Sequence, residues 1–249
     1  MTAERVWVEV AGRPMHARAW GERGRPEVVL VHGLSMSSRY LVPTAEHLAS
    51  RLRVYAPDLP GFGASAAPER TLGVRGLADV LVEWAEAAGV GPAVFAGNSL
   101  GCQVLLDLAV RQPGRALGLV LVGPTGEPAV SVARLMARAS ADVFRERPAL
   151  WPIIARCYLR TGPRRTWQTL RDLVDDRPED RAPLVGVPAA VVRGARDVIV
   201  PDWWAERLAA ELPVARLYTV PGAAHAVNFG APWAVASAVW WALGEAGAA

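Results

Sequence analysis

Val94-Phe95-Ala96-Gly97-Asn98-Ser99-Leu100-Gly101-Cys102 decides how the chain reads. Residues 93–96 are a short apolar run, the pattern of a buried strand. Gly-x-Ser-x-Gly follows, and residues 102–110 have helical character. A serine between strand and helix sits on a tight, strained turn that presents its hydroxyl. Gly97 and Gly101 leave room where a side chain would collide with the flanking strand and helix. The helix that follows offers free N–H groups and the positive end of its dipole to a developing oxyanion. Ser99 is therefore a candidate nucleophile, and the rest of the chain must supply its partners.

Upstream, residues 6–10 and 14–20 alternate around Ala11-Gly12-Arg13, which predicts an antiparallel hairpin. Residues 27–31 are a buried strand that stops at His32-Gly33-Leu34-Ser35, and residues 38–52 have helical spacing. The next strand, 53–56, ends at Asp58-Leu59-Pro60-Gly61-Phe62-Gly63, and 72–88 is an amphipathic helix. Downstream of the elbow, strand 117–122 ends at Gly123-Pro124-Thr125. This alternation predicts an α/β fold, a mostly parallel sheet with helices on both faces.

The rhythm then breaks. Residues 127–181 contain helical patterns at 131–145, 149–159 and 166–174 but no strand. The prediction is a helical cap, residues 126–182, set into an α/β core formed by 1–125 and 183–249. Alternation resumes with strand 188–193, helix 201–212, strand 214–220 and a closing helix 233–243. In that last helix Trp240 and Trp241 are expected to anchor against the sheet.

Composition narrows the classes. The chain has 249 residues, 52% hydrophobic and 20% charged, enough for one large domain with a buried core. No apolar run is long enough to span a membrane, and the first ten residues hold no leader-like apolar stretch. Two cysteines, Cys102 and Cys157, do not make a disulfide framework, so a cytoplasmic location is expected. The formal charge is +3, and lysine is absent. No basic stripe alternates with aromatics, so no nucleic-acid partner is expected, nor a membrane one. His16, His32, His47 and His225 are scattered, with no metal-ligand spacing, and no phosphate-binding loop occurs. No metal and no cofactor are expected.

In parallel sheets functional residues gather where strands end. Ser99 follows one strand, Asp197 follows the strand ending at Arg193, and His225 follows the last strand. A serine hydroxyl needs a base, histidine can take and return its proton, and a carboxylate holds the imidazole in the useful tautomer. Two backbone N–H groups must face the oxyanion: Leu100, just after the serine, and Leu34 in the loop after the early strand. His32 is expected to tie down that loop, and Asp58 to fix the turn that follows it.

These motifs resemble those of the α/β-hydrolases along nearly the whole chain. The matching residues are His32-Gly33, Asp58-Leu59-Pro60-Gly61-Phe62-Gly63-Ala64-Ser65, Gly97-Asn98-Ser99-Leu100-Gly101, Gly194-Ala195-Arg196-Asp197 with Val200-Pro201, and Gly222-Ala223-Ala224-His225. The resemblance implies a Ser99–His225–Asp197 triad, an eight-stranded sheet with an antiparallel second strand, and a cap after the sixth strand.

Ser99 excludes the mechanism of relatives with an aspartate nucleophile. Asn98 beside the serine resembles hydrolases that cleave carbon–carbon bonds in ring-fission products. Those carry a Gly-rich oxyanion loop, where this chain has Leu34-Ser35-Met36-Ser37. The expected activity is hydrolysis of a small, largely apolar ester or lactone. The alternatives are carbon–carbon cleavage, acyl transfer or perhydrolysis, and non-catalytic ligand capture. Ser35, Thr125, Met136, Trp151 and Val198 are candidate substrate contacts. Of Met136, Phe144, Trp151, Ile154, Tyr158 and Trp167, most are expected to face the sheet domain as core and one or two to line the site.

Overall fold

A computed structural model describes residues 2–248. Strands β1 (Glu4–Val10) and β2 (Arg13–Trp20) pair antiparallel. Ala11 and Gly12 between them have φ of 47° and 71°, the left-handed turn that matches strand twist. The sheet continues with β3 (Glu27–Val31), β4 (Arg53–Pro57), β5 (Ala93–Asn98), β6 (Ala116–Val122), β7 (Ala189–Gly194) and β8 (Ala215–Val220). Its order is β1-β2-β4-β3-β5-β6-β7-β8. β2 runs antiparallel to both neighbours, and every pairing from β4 to β8 is parallel.

The continuous apolar runs are explained by coverage on both faces. Every residue of β4, β5 and β7 is buried. One face carries α2 (Val74–Ala87) and α3 (Leu100–Arg111), with Leu77, Trp84 and Leu105 in its core. The other carries α1 (Val42–Leu48).

Four helices separate β6 from β7: α4 (Val132–Val143), α5 (Trp151–Thr161), α6 (Pro163–Asp175) and α7 (Pro178–Arg181). No strand occurs in that stretch. After β7 come α8 (Asp202–Glu211), on the same face of the sheet as α2 and α3 and packed on β7 and β8, then α9 (Val227–Gly230) and α10 (Pro232–Ala248), which pack with α1.

Three expectations change. The helix read over 38–52 is a 3-10 turn at Ser38–Leu41 followed by α1, which ends at Leu48. Trp240 is 40% exposed, whereas Trp241 is half-buried and packs against the core as expected; the fully buried tryptophans are Trp20, Trp84 and Trp204. Alanine and valine at 235, 238, 239 and 242 face the sheet instead, so closely that a Cβ on Gly118 would lie 3.1 Å from that of Ala242. In the inserted segment Phe144, Trp151 and Trp167 are exposed rather than core.

Candidate active site

The elbow is built as its glycines require. Ser99 joins β5 to α3 with φ 56° and ψ −119°, a strained backbone for a residue with a side chain. A Cβ on Gly97 would lie 2.6 Å from the Gly101 carbonyl carbon, and one on Gly101 2.7 Å from the Val31 oxygen. The Ser99 N–H donates to the Val122 carbonyl at 3.0 Å, pinning the turn to β6. Leu100 heads α3, where first-turn amides have no acceptor within the helix. The loop after β3 runs beside the serine: a Cβ on Gly33 would lie 3.1 Å from that of Ser99.

The loops after β7 and β8 bring Asp197 to His225. Asp197 Oδ2 lies 2.8 Å from His225 Nδ1, and both residues are buried. Asp197 Oδ1 accepts the N–H groups of Ile199 (2.8 Å) and Val200 (2.9 Å), which fixes the carboxylate plane. Arg193 at the end of β7 donates to the backbone oxygens of Asp197 and Val200 and holds the loop. A carboxylate on Nδ1 selects the tautomer whose Nε2 carries the free lone pair. Nε2 makes no hydrogen bond among the described residues. Burial opposes charge on this imidazole, but Asp197 outweighs it, with help from Asp142 and Glu146, and lifts His225 to about 9. Gly123, at φ 54°, sits against the pair: a Cβ there would lie 2.8 Å from Nδ1.

A polar brace joins these parts. Asn98 donates to the carbonyls of Val122 (3.0 Å) and His225 (3.2 Å). Its side-chain oxygen accepts the Tyr40 hydroxyl at 2.9 Å, and that hydroxyl accepts the Gly33 N–H at 2.7 Å. The residue beside the serine therefore ties the histidine loop to the Gly33 loop. His32 bridges Gly33 and Leu59, its Nε2 accepting the Leu59 N–H at 2.9 Å. Asp58 holds His16, Ser38 and Ala64. Cys102 is buried, with its thiol on the Gly97 carbonyl.

Ser99 and His225 line one cavity of about 340 Å³, roofed by α4, α5 and α6. The family model described as the alpha/beta hydrolase family matches residues 28–238. The chain belongs to the alpha/beta hydrolase family. It is 31% identical to the pimeloyl-(acyl-carrier protein) methyl ester esterase of Chromobacterium violaceum, over 81% of this chain and 87% of that one. It is 32% identical to the protein of the same name from Aromatoleum aromaticum, over 81% and 92%. The enol-lactonase of Burkholderia xenovorans LB400 has the same fold, with a TM-score of 0.83 and 24% identity, covering 96% of this chain and all of that one.

The cavity wall of this α/β-hydrolase includes Leu34, Thr125 and Met136 as read from the sequence, with Ile154 and Tyr158. Ser35, Trp151 and Val198 lie outside it. Ser35 is turned to Thr166, Oγ to Oγ1 at 2.8 Å, and the Trp151 indole, partly exposed, donates to the Val143 carbonyl. Two acids escaped the sequence reading: Asp142 and Glu146 both line the cavity and are almost fully buried. A carboxyl pair four residues apart reads as a solvated helix face, and only tertiary packing turns it inward.

Proposed function

We propose that this enzyme is a serine hydrolase that cleaves small, largely apolar carboxylic esters or lactones through an acyl-enzyme. The observation that carries this reading is the 2.8 Å contact between Asp197 and His225 at the wall of the cavity that also holds Ser99. Ser99 Oγ attacks the carbonyl carbon while His225 Nε2 takes its proton. The N–H groups of Leu34 and Leu100 hold the oxyanion. Collapse expels the alcohol, which takes the proton from Nε2. Water, deprotonated by the same nitrogen, then releases the acid and restores the serine.

The lining supports an apolar substrate. Leu34, Met36, Leu135, Met136, Leu150 and Ile154 dominate the wall, and no arginine is among the described residues that line it. A ring-fission dienoate would bring a carboxylate beside Asp142 and Glu146, with no arginine among the described lining residues to pair it, which disfavours carbon–carbon cleavage. The insertion, residues 126–182, works in this reading as a cap that supplies most of the wall and excludes water from the acyl-enzyme. The substrate is a small soluble ester or lactone, with no metal or cofactor in the steps.

Turnover of p-nitrophenyl butyrate tests the reading. The wild type is expected to show turnover that Ser99→Ala lacks. Equal rates in the two proteins contradict it.

A further inference from the structure

Asp142 and Glu146 are hard to explain as packing. Asp142 is 3% exposed and Glu146 7%, and no arginine lines their cavity. Taking two carboxyls out of water is costly unless charge or hydrogen bonds offset it. They lie one helical turn apart, since the Glu146 N–H donates to the Asp142 carbonyl at 3.1 Å and continues the last turn of α4. All three of Asp142, Glu146 and His225 line the same cavity, and each carboxyl is influenced by the other and by the imidazole. Glu146 Oε1 accepts the N–H of Ala226, the residue after the histidine, at 2.6 Å. The other ionisable groups around them are Asp197, beyond the imidazole, and the Tyr40 hydroxyl.

We propose that Glu146 is a positioning residue for His225, and that the Asp142–Glu146 pair, sharing one proton, sets the charge against which the imidazole works. The inference rests on His225 being the base. The Ala226 contact fixes the loop from the insertion side, as Asn98 does from the sheet side through the His225 carbonyl. The pair contributes one negative charge beside a ring that must become imidazolium when Ser99 gives up its proton. That charge favours the ion formed at the transition state, and Asp197 alone would favour it less. Burial pushes Glu146 up to about 7, the Ala226 N–H opposing and the Asp142 carboxyl adding, in keeping with a proton held between the two acids.

The imidazole itself is the readout that separates this device from the nucleophile reading. In a Ser99→Ala background, the His225 titration followed by NMR should move down by about one pH unit when Asp142→Asn and Glu146→Gln together remove the charge. In the protein with Ser99 intact, Glu146→Ala should lower kcat about tenfold with KM little changed, and Glu146→Gln, which still accepts the Ala226 N–H, should restore most of it. Melting curves check that each variant is folded. A lowered midpoint with rescue by glutamine supports the proposal. A midpoint unmoved in the double variant, or wild-type kcat in Glu146→Ala, overturns it. Turnover surviving in Ser99→Ala would sink the nucleophile instead and leave the NMR titration readable.

Discussion

Helices α3 and α4 have twelve residues each, yet α3 buries ten of its residues and α4 only Leu135 and Asp142. α3 is sealed between the sheet and α2, and its first turn carries the elbow. α4 lies over the cavity and buries an acid where an apolar residue would be ordinary. The difference separates two tasks. The sheet side fixes Ser99, Asp197 and His225, the proposed reacting groups, through backbone turns in which glycines such as Gly97, Gly101 and Gly123 leave no room for a Cβ. The insertion sets the surroundings through side chains that line the cavity, Asp142 and Glu146 among them.

The largest effect should come from the sheet side. Asp197→Asn keeps the Ile199 and Val200 contacts possible but favours the wrong imidazole tautomer, so kcat on p-nitrophenyl butyrate should fall about 10⁴-fold with little change in melting temperature. A fall below tenfold would mean that the two regions do not divide in this way. Gly123→Ala is next. A residue at φ 54° with its Cβ against Nδ1 must push the imidazole away or strain the turn, and kcat should drop on the order of 10²-fold. Tyr40→Phe leaves the Gly33 N–H without its hydroxyl acceptor. It should cost about 1–3 kcal/mol in a denaturant titration and roughly tenfold in kcat.

Acid–base linkage sharpens the comparison. His225 is raised to about 9, so its charge contributes stability fully below pH 6.5 and loses it as pH rises through 9. Glu146, raised to about 7, favours the folded state most while protonated, and that contribution fades as pH climbs toward and past 7. Both act with the same sign. Melting temperature should fall between pH 6.5 and 9, and the slope should flatten in His225→Gln. Over the same range kcat/KM should rise, because the base must be neutral. The smallest effect belongs to the outer face of the insertion: Phe144 is 81% exposed, and Phe144→Ser should change stability by about 0.5 kcal/mol or less and kcat less than twofold.

The sheet side was legible because its signals are local. Buried strands read as apolar runs, and Ser99 and Asp197 each follow one, while His225 follows the partly exposed edge strand β8; the glycines at 97 and 101 mark the elbow within five residues. The closing helix was legible as an element but not in its orientation. Its alanine–valine stripe packs more tightly than a tryptophan allows, so Trp240 turns out to solvent. The insertion hid its contribution for a related reason. Which face of α4 or α5 meets the cavity depends on tertiary packing, so Ile154 and Tyr158 line it while Phe144 and Trp151 face out, and Asp142 and Glu146 pass for surface residues.

The most direct measurement is mass-spectrometric mapping of the adduct left by a fluorophosphonate ester. The account predicts one phosphonyl group per chain on Ser99, none in Ser99→Ala, and greatly slowed labelling in His225→Ala. An adduct on any other residue, or labelling as fast without the histidine as with it, would contradict it.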